Sequence, residues 1–265
     1  MQNKINVMNI MFDNVTQIEA LNLIFKYLNK DNKGYICTPN PEMLLEAQKN
    51  SPFLNVINNS LLNIADGIGI LWAAYNMEKH NSKLKAILNL PLIALYPKKF
   101  KTVLKERVTG TDLIQKICER SAGTPYKVFL LGAVPGIAEI TKEKLQQKSP
   151  ALKIVGTFAG SAELKDKDTI VQLINKSEAD ILFVAFGAPK QEMWIYENLK
   201  NLKTVKIAIG VGGAFDFISG KRKRAPVWMQ IIGLEWLYRL FQEPTRWKRI
   251  YNATIKFPIE IIKLL

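Results

Sequence analysis

The sequence predicts an α/β fold: a mostly parallel, Rossmann-like sheet covered by helices, followed by a basic helical appendage. Three observations lead there. Short apolar runs of strand length recur between residues 34 and 209, separated by segments of helical period. Several of these runs end in Gly, Pro or a polar residue, the punctuation of strand-to-helix turns. After residue 220 the pattern gives way to Lys and Arg interleaved with Trp, Tyr, Leu and Ile.

The opening stretch, MQNKINVMNIMF, has no basic start followed by an apolar core, and Asp13 and Asn14 cut it short, so no leader peptide is expected. Residues 34–38 read as a strand ending in Pro39-Asn40-Pro41, with a helix following through Glu42, Leu44, Leu45 and Ala47. Residues 61–65 read as a second strand, ending at Asp66-Gly67-Ile68-Gly69. The stretch 76–106 breaks the rhythm. Its apolar centre, 86–96, is interrupted by Pro91 and flanked by Lys83, Lys85, Lys98, Lys99 and Lys101. Too short to span a bilayer, it reads either as a buried loop and helix or as a second interfacial segment. Later strands are expected at 127–131, 152–155, 180–186 and 206–209. The organisation expected is a core over 1–220 and an appendage over 221–265. In sheets of this kind the ligand crevice lies outside the carboxyl ends of the strands.

With 48% hydrophobic and 23% charged residues the chain reads as globular. Its net charge of +14 is unevenly spread. Residues 221–265 hold ten Lys/Arg against three Glu, a net +7, and 76–106 hold seven Lys against Glu78 and Glu106. Basic residues alternating with aromatics, without one long apolar run, suit the boundary between anionic headgroups and acyl chains. Two cysteines (Cys37, Cys118) and one histidine argue against a disulfide framework and a structural zinc site. The location expected is cytoplasmic and peripheral to a membrane.

Candidate chemistry gathers at the strand ends. Thr38 and Asn40 place small polar groups there, the plain alternative being that Asn40 only caps a helix with Glu42 in its first turn. Asp66 offers one carboxylate at a strand end, either as a general base or as an N-cap. Gly132, opening Gly132-Ala133-Val134-Pro135-Gly136, begins a turn whose N–H groups suit phosphate. That turn is neither GxGxxG nor a P-loop, which disfavours a nicotinamide enzyme or a nucleotide hydrolase. Lys190 and Gln191 offer donors after Gly187. Gly212 and Gly213 would let a uracil or diphosphate lie against the backbone, with tight packing an equal alternative. The Asp-X-Asp pair that usually chelates a metal on a sugar nucleotide is read as missing, so neither metal nor cofactor is expected.

Nine segments together resemble the WecG/TagA/CpsF family of bacterial glycosyltransferases, glycosyltransferase family 26, in the same order. They are TPNPEML (38–44), ADGIG (65–69), ERVTGTDL (106–113), VFLLGAVPG (128–136), VAFGAPKQEMW (184–194), IGVGGAFDFISG (209–220), KRAP (223–226), GLEWLYRL (233–240) and EPTRWKR (243–249). The resemblance implies an inverting, metal-independent transfer of N-acetylmannosamine or its uronic acid. The donor implied is a UDP-sugar, and the acceptor is N-acetylglucosamine carried on undecaprenyl diphosphate, in cell-surface polysaccharide synthesis. It implies Asp66 as base, Thr38 and Asn40 in the same pocket, and Arg107 and Gln191 at the active site. It further implies that Arg222, Arg224, Arg239, Arg246 and Arg249 meet membrane and diphosphate. One departure stands out: the stretch between the Asp-Gly block and Arg107 is longer here than in typical members. The partners expected are the UDP-sugar, the polyprenyl-diphosphate-linked acceptor and an anionic membrane surface, without nucleic acid; a homo-oligomer is compatible with the sequence. A nucleic-acid-binding protein or a peripheral membrane scaffold would explain the charge but leave Asp66, Gln191 and the glycines idle.

Overall fold

The computed structural model describes residues 3–30 and 33–265. A hairpin of β1 (Lys4–Val7) and β2 (Ile10–Asp13) precedes the main sheet. That sheet comprises β3 (Gly34–Cys37), β4 (Leu62–Asn63), β5 (Lys127–Gly132), β6 (Lys153–Phe158), β7 (Ile181–Ala185) and β8 (Ile207–Gly210). Its order is β4-β3-β8-β7-β5-β6, with every pairing parallel.

The strand sequences are nearly continuous apolar runs because helices cover both faces of the sheet. Successive side chains alternate between two cores. Ile36, Leu130, Phe183 and Ile209 point to a face covered by the helices Gln17–Asn29, Gly110–Ser121, Ile137–Lys148 and Ala214–Ile218. Cys37, Leu131, Val184 and Ala208 point to the other, packed with Ile170 and Ile174 of the helix Leu164–Ser177 and Trp194 and Ile195 of the helix Lys190–Asn198. A third cluster joins the hairpin, the helices Pro41–Ala47 and Ile68–Glu78, and Phe257 and Ile261 of the last helix, Phe257–Leu264.

The fold class agrees with the sequence reading, and the differences have local causes. The hairpin was not expected because its turn, Met8-Asn9, takes positive φ of 51° and 62° without the glycine that usually signals such a turn. The 61–65 run forms only two residues of regular strand. Beyond Cys37 its partner strand continues into Pro39 and Pro41, which have no N–H to extend the ladder. Residues 76–106 are neither wholly buried nor a loop. They form the helices Lys83–Asn89 and Leu92–Leu95 and a 3-10 segment, Pro97–Thr102. Ala86, Asn89 and Phe100 are buried, while Leu84, Ile87, Leu88, Leu95 and Tyr96 are exposed. After residue 220 come the helices Val227–Ile231, Glu235–Gln242 and Trp247–Tyr251, a π-helical turn Asn252–Lys256, and the last helix. Among the described residues no helix is long and apolar enough to cross a membrane.

Candidate active site

The loops after β3, β4, β7 and β8 converge with the C-terminal helices around two adjoining cavities. The smaller, about 160 Å³, is polar, and its wall includes Thr38, Thr109, Thr111, Gln191, Gly212 and Gly213. The larger, about 450 Å³, is mainly apolar, with Ile68, Trp72, Leu90, Ile93, Trp236 and Ile250 in its wall. Asn40, Asp66, Glu235, Arg239, Arg246 and Arg249 border both.

Asp66 is not a helix cap. The helix Ile68–Glu78 is preceded by Gly67, with no side-chain cap. The Asp66 N–H donates to the Pro39 carbonyl at 3.1 Å, holding the residue where the two loops meet. Burial pushes its carboxyl up to about 6; the Arg107 and Arg239 guanidinium groups pull it back, Glu235 pushes it up, and the Gly110 N–H pulls it down. A carboxylate tuned to that range is ionised at neutral pH yet basic enough to accept a proton. Asn40 does cap its helix: Oδ1 accepts from the Met43 N–H at 3.1 Å. The capping reading of Asn40 is therefore observed, and the residue also borders both cavities. Thr38 lies buried at the end of β3.

Gln191 is a brace between two turns. Its Oε1 accepts from the Gly187 N–H at 3.1 Å and the Gly212 N–H at 2.9 Å, while Nε2 donates to Glu192 Oε1 at 2.7 Å. Gly187 (φ 79°) and Gly212 (φ 52°) are in the left-handed region, where a side chain would be strained. Gln191 thus shapes the floor of the smaller cavity. Gly132 and Lys190 border neither cavity. Lys190 is exposed, and Gly132 packs so closely on β7 that an added Cβ would lie 2.8 Å from the Ala185 carbonyl carbon. Arg107 lines the larger cavity beside Asp66.

Each of the five tail arginines is held by a carboxylate. Arg222 contacts Asp216 at 3.2 Å and Glu243 at 2.7 Å, and Arg246 shares Glu243 at 2.8 Å. Arg224 pairs with Asp112, Arg239 with Glu235 at 2.6 Å, and Arg249 with Glu42 at 2.8 Å. Arg222 lies outside both cavities, and Arg224 lines the smaller. The pairs restrain these guanidinium groups, and Arg239, Arg246 and Arg249 border both cavities with Asp66, so they are positioned charge more than a free basic fringe.

The sequence reading missed Trp72, Thr109, Thr111, Glu235 and Glu192. Trp72 sits in an apolar helix and carries no polar signal, whereas the four-residue spacing of Glu235 and Arg239 was available as a helical pair. The chain has one Asp-X-Asp spacing, Asp166-Lys167-Asp168, but it lies on the helix Leu164–Ser177, where Asp166 accepts from Ser161 Oγ at 2.6 Å, and it borders neither cavity. Among the described residues no group of three or more His, Cys, Asp or Glu side chains could hold a metal ion.

The family model described as "Glycosyl transferase WecG/TagA/CpsF family" matches residues 5–90 and 91–265. Curated relatives named N-acetylglucosaminyldiphosphoundecaprenol N-acetyl-beta-D-mannosaminyltransferase are similar over most of their length. The one from Bacillus subtilis (strain 168) is 29% identical over 237 residues, covering 89% of this chain and 82% of the relative. That from Bacillus spizizenii is 30% identical with the same coverage. That from Staphylococcus aureus (strain MRSA252) is 29% identical over 249 residues, 93% of this chain and 87% of the relative.

Proposed function

The chain belongs to the WecG/TagA/CpsF family of glycosyl transferases, and on that premise we propose that it moves N-acetylmannosamine, or its uronic acid, from UDP to N-acetylglucosamine on undecaprenyl diphosphate. The observation that carries this reading is the place of Asp66 between a polar and an apolar cavity. The polar cavity, with Thr38, Thr109 and Thr111 in its wall, suits the polar part of the donor, although at about 160 Å³ it holds only a portion of a sugar nucleotide. The apolar one suits an acceptor whose diphosphate is followed by a long hydrocarbon. Two carboxylates, Asp66 and Glu235, border both; Glu235 is paired with Arg239 at 2.6 Å, so Asp66 is the one we assign as base.

In the mechanism we propose, the acceptor hydroxyl oxygen attacks the anomeric carbon from the side opposite UDP. Its proton passes to the Asp66 carboxylate, and the carbon–oxygen bond to the diphosphate breaks, leaving the electron pair on UDP. A single displacement of this kind inverts the anomeric centre. Arg239, Arg246 and Arg249 border both cavities and would stabilise the charge developing on the diphosphate, the largest service such a site can give. Gln191 holds the glycine turns in place, Thr38 and Asn40 orient the substrates, and Arg107 tunes Asp66 and faces the acceptor. The reaction as proposed needs no metal.

We assign 1–220 to the catalytic core and 221–265 to an acceptor- and membrane-facing appendage, with the protein peripheral to the inner face of the cell membrane. The exposed Val227, Trp228, Ile231 and Phe241 of this segment support this over nucleic-acid binding, because aliphatic side chains enter an acyl boundary and have no partner on a phosphate backbone. The test is a screen of UDP-sugars against a short-chain lipid-diphosphate N-acetylglucosamine acceptor, with product mass measured. An acceptor gaining one N-acetylhexosamine, with UDP released, is the expected result. Absence of transfer from every UDP-sugar would overturn the reading.

A further inference from the structure

The helix Lys83–Asn89 is inside out. Its small and polar residues, Ala86 and Asn89, are buried, while Leu84, Ile87 and Leu88 are 67%, 47% and 65% exposed. Those three stand at i, i+3 and i+4, so they form one outward face. Leu95 and Tyr96 continue the exposed apolar surface. The segment is also firmly seated. Asn89 Nδ2 donates to Asn76 Oδ1 at 3.0 Å, Asn81 donates to the same oxygen at 3.0 Å, and Asn76 Nδ2 donates to the Trp72 carbonyl at 2.8 Å. Lys99 donates to Asn89 Oδ1 at 2.7 Å, and Phe100 packs edge-on to Tyr75. A buried asparagine ladder therefore holds an apolar face toward the outside. Contiguous exposed apolar surface on such a support marks a contact site.

We propose that residues 83–101 form a second membrane-contact element, seated on an anionic lipid bilayer at the mouth of the larger cavity. Three observations select a bilayer as the partner. Lys83, Lys85, Lys98 and Lys101 are exposed around the apolar face, the arrangement in which cations meet headgroups while Leu and Ile enter the acyl boundary. Leu90, Pro91, Ile93 and Ala94, between the exposed residues, line the larger cavity, so a hydrocarbon chain leaving that cavity would enter the same lipid layer. Across the cavity, the C-terminal segment exposes Trp228, Ile231, Trp247 and Tyr251, a second apolar rim with its own cations. A second copy of this chain would bring the lysine fringe against itself, which disfavours a symmetric dimer through this face. The inference deepens the lipid-linked acceptor reading, but the contact itself requires no turnover.

The experiment is vesicle co-sedimentation of the full chain with phosphatidylcholine vesicles containing phosphatidylglycerol, without substrate. The double variant Ile87→Glu/Leu88→Glu changes only exposed positions, so its melting temperature should stay near that of the parent. We expect its partitioning to fall at least tenfold, with turnover on a water-soluble short-chain acceptor within twofold. Should the double variant misfold, Lys83→Gln/Lys85→Gln/Lys98→Gln/Lys101→Gln is the second arm. It should lose partitioning to anionic vesicles and retain what weak partitioning the parent shows to pure phosphatidylcholine. Unchanged vesicle binding in a folded variant would overturn the proposal, and a shift from dimer to monomer with unchanged vesicle binding would reassign the face to self-association. Failure of the acceptor reading would appear separately, as absent turnover with vesicle binding intact.

Discussion

Arg249 closes a fork on Glu42, with Nη2 2.8 Å and Nε 3.0 Å from Oε2 and Nε 3.1 Å from Oε1, joining residues 207 apart in sequence. Glu42 is in the first turn of the helix capped by Asn40, so the fork ties the tail to the wall of the larger cavity. A pair this exposed is worth about 0–1 kcal/mol, and an incoming diphosphate competes well for a guanidinium fork. On the function we propose, Glu42 would hold Arg249 until the acceptor diphosphate takes it.

Glu42→Gln should leave the melting temperature nearly unchanged and lower KM for the lipid-diphosphate acceptor a few-fold by releasing the guanidinium. Arg249→Ala should raise that KM roughly tenfold, a cost of about 1.4 kcal/mol, and Arg249→Lys should rescue little because an ammonium cannot form the fork. Steady-state kinetics over acceptor concentration checks this. An Arg249→Ala variant with the parental KM would remove Arg249 from substrate binding.

Asp66→Asn should fold, bind UDP as the parent does, and turn over roughly 10²-fold slower or worse, the scale of general-base catalysis. The pH profile gives a second reading. The Asp66 carboxyl is raised to about 6 by burial, and the base acts only when ionised. Activity should thus rise through pH 6 and level off above it, falling about tenfold per unit below. Turnover by Asp66→Asn within a few-fold of the parent would show that another group takes the proton.

The parts of the site legible in the sequence are those where backbone need and chemistry coincide. Asp66 stood out because a lone carboxylate follows an apolar run and precedes Gly67, and Gly187 and Gly212 because the turns they serve require positive φ. Gly132 and Lys190 have the same local look but border no cavity, since whether a turn packs on a neighbouring strand or opens to a ligand depends on strand order. The order β4-β3-β8-β7-β5-β6 is a tertiary fact that no local pattern encodes. The tail's charge was legible, but its partners Glu42, Asp112 and Asp216 lie in distant or separate elements, so the pairing was not. The Met8-Asn9 turn hid the first hairpin for the converse reason: two non-glycine residues adopt a conformation usually announced by glycine.

Transfer should persist in excess chelator. The charge arranged around Asp66 is that of Arg107, Arg239, Arg246 and Arg249, and the Asp166/Asp168 spacing borders neither cavity. The check is initial rate in EDTA against rate with added magnesium or manganese. Activity abolished by the chelator and restored by one divalent ion would show a metal-dependent reaction.

Glu192 should make stability fall as pH rises. It is 1% exposed, its Oε1 accepts from Gln191 and its Oε2 has no partner, so burial pushes the carboxyl up to about 7 against the pull of the Gln191 hydrogen bond. The folded value lies above that of the unfolded chain, near 4.5. Between these values the native state holds a proton that the unfolded state has released, so stability declines as pH climbs from about 4.5 to 7 and then levels off. Glu192→Gln keeps an acceptor for Gln191 and removes this titration, so its melting temperature should fall less than the parent's across that window, Asp66 still contributing below pH 6, with its advantage over the parent largest above pH 7. Glu192→Leu removes the acceptor too. It should leave the Gln191 amide free to turn and so raise KM for the UDP-sugar by loosening Gly187 and Gly212. Melting curves from pH 5 to 8 for the parent and Glu192→Gln decide it: parallel curves would mean that Glu192 is already ionised in the fold.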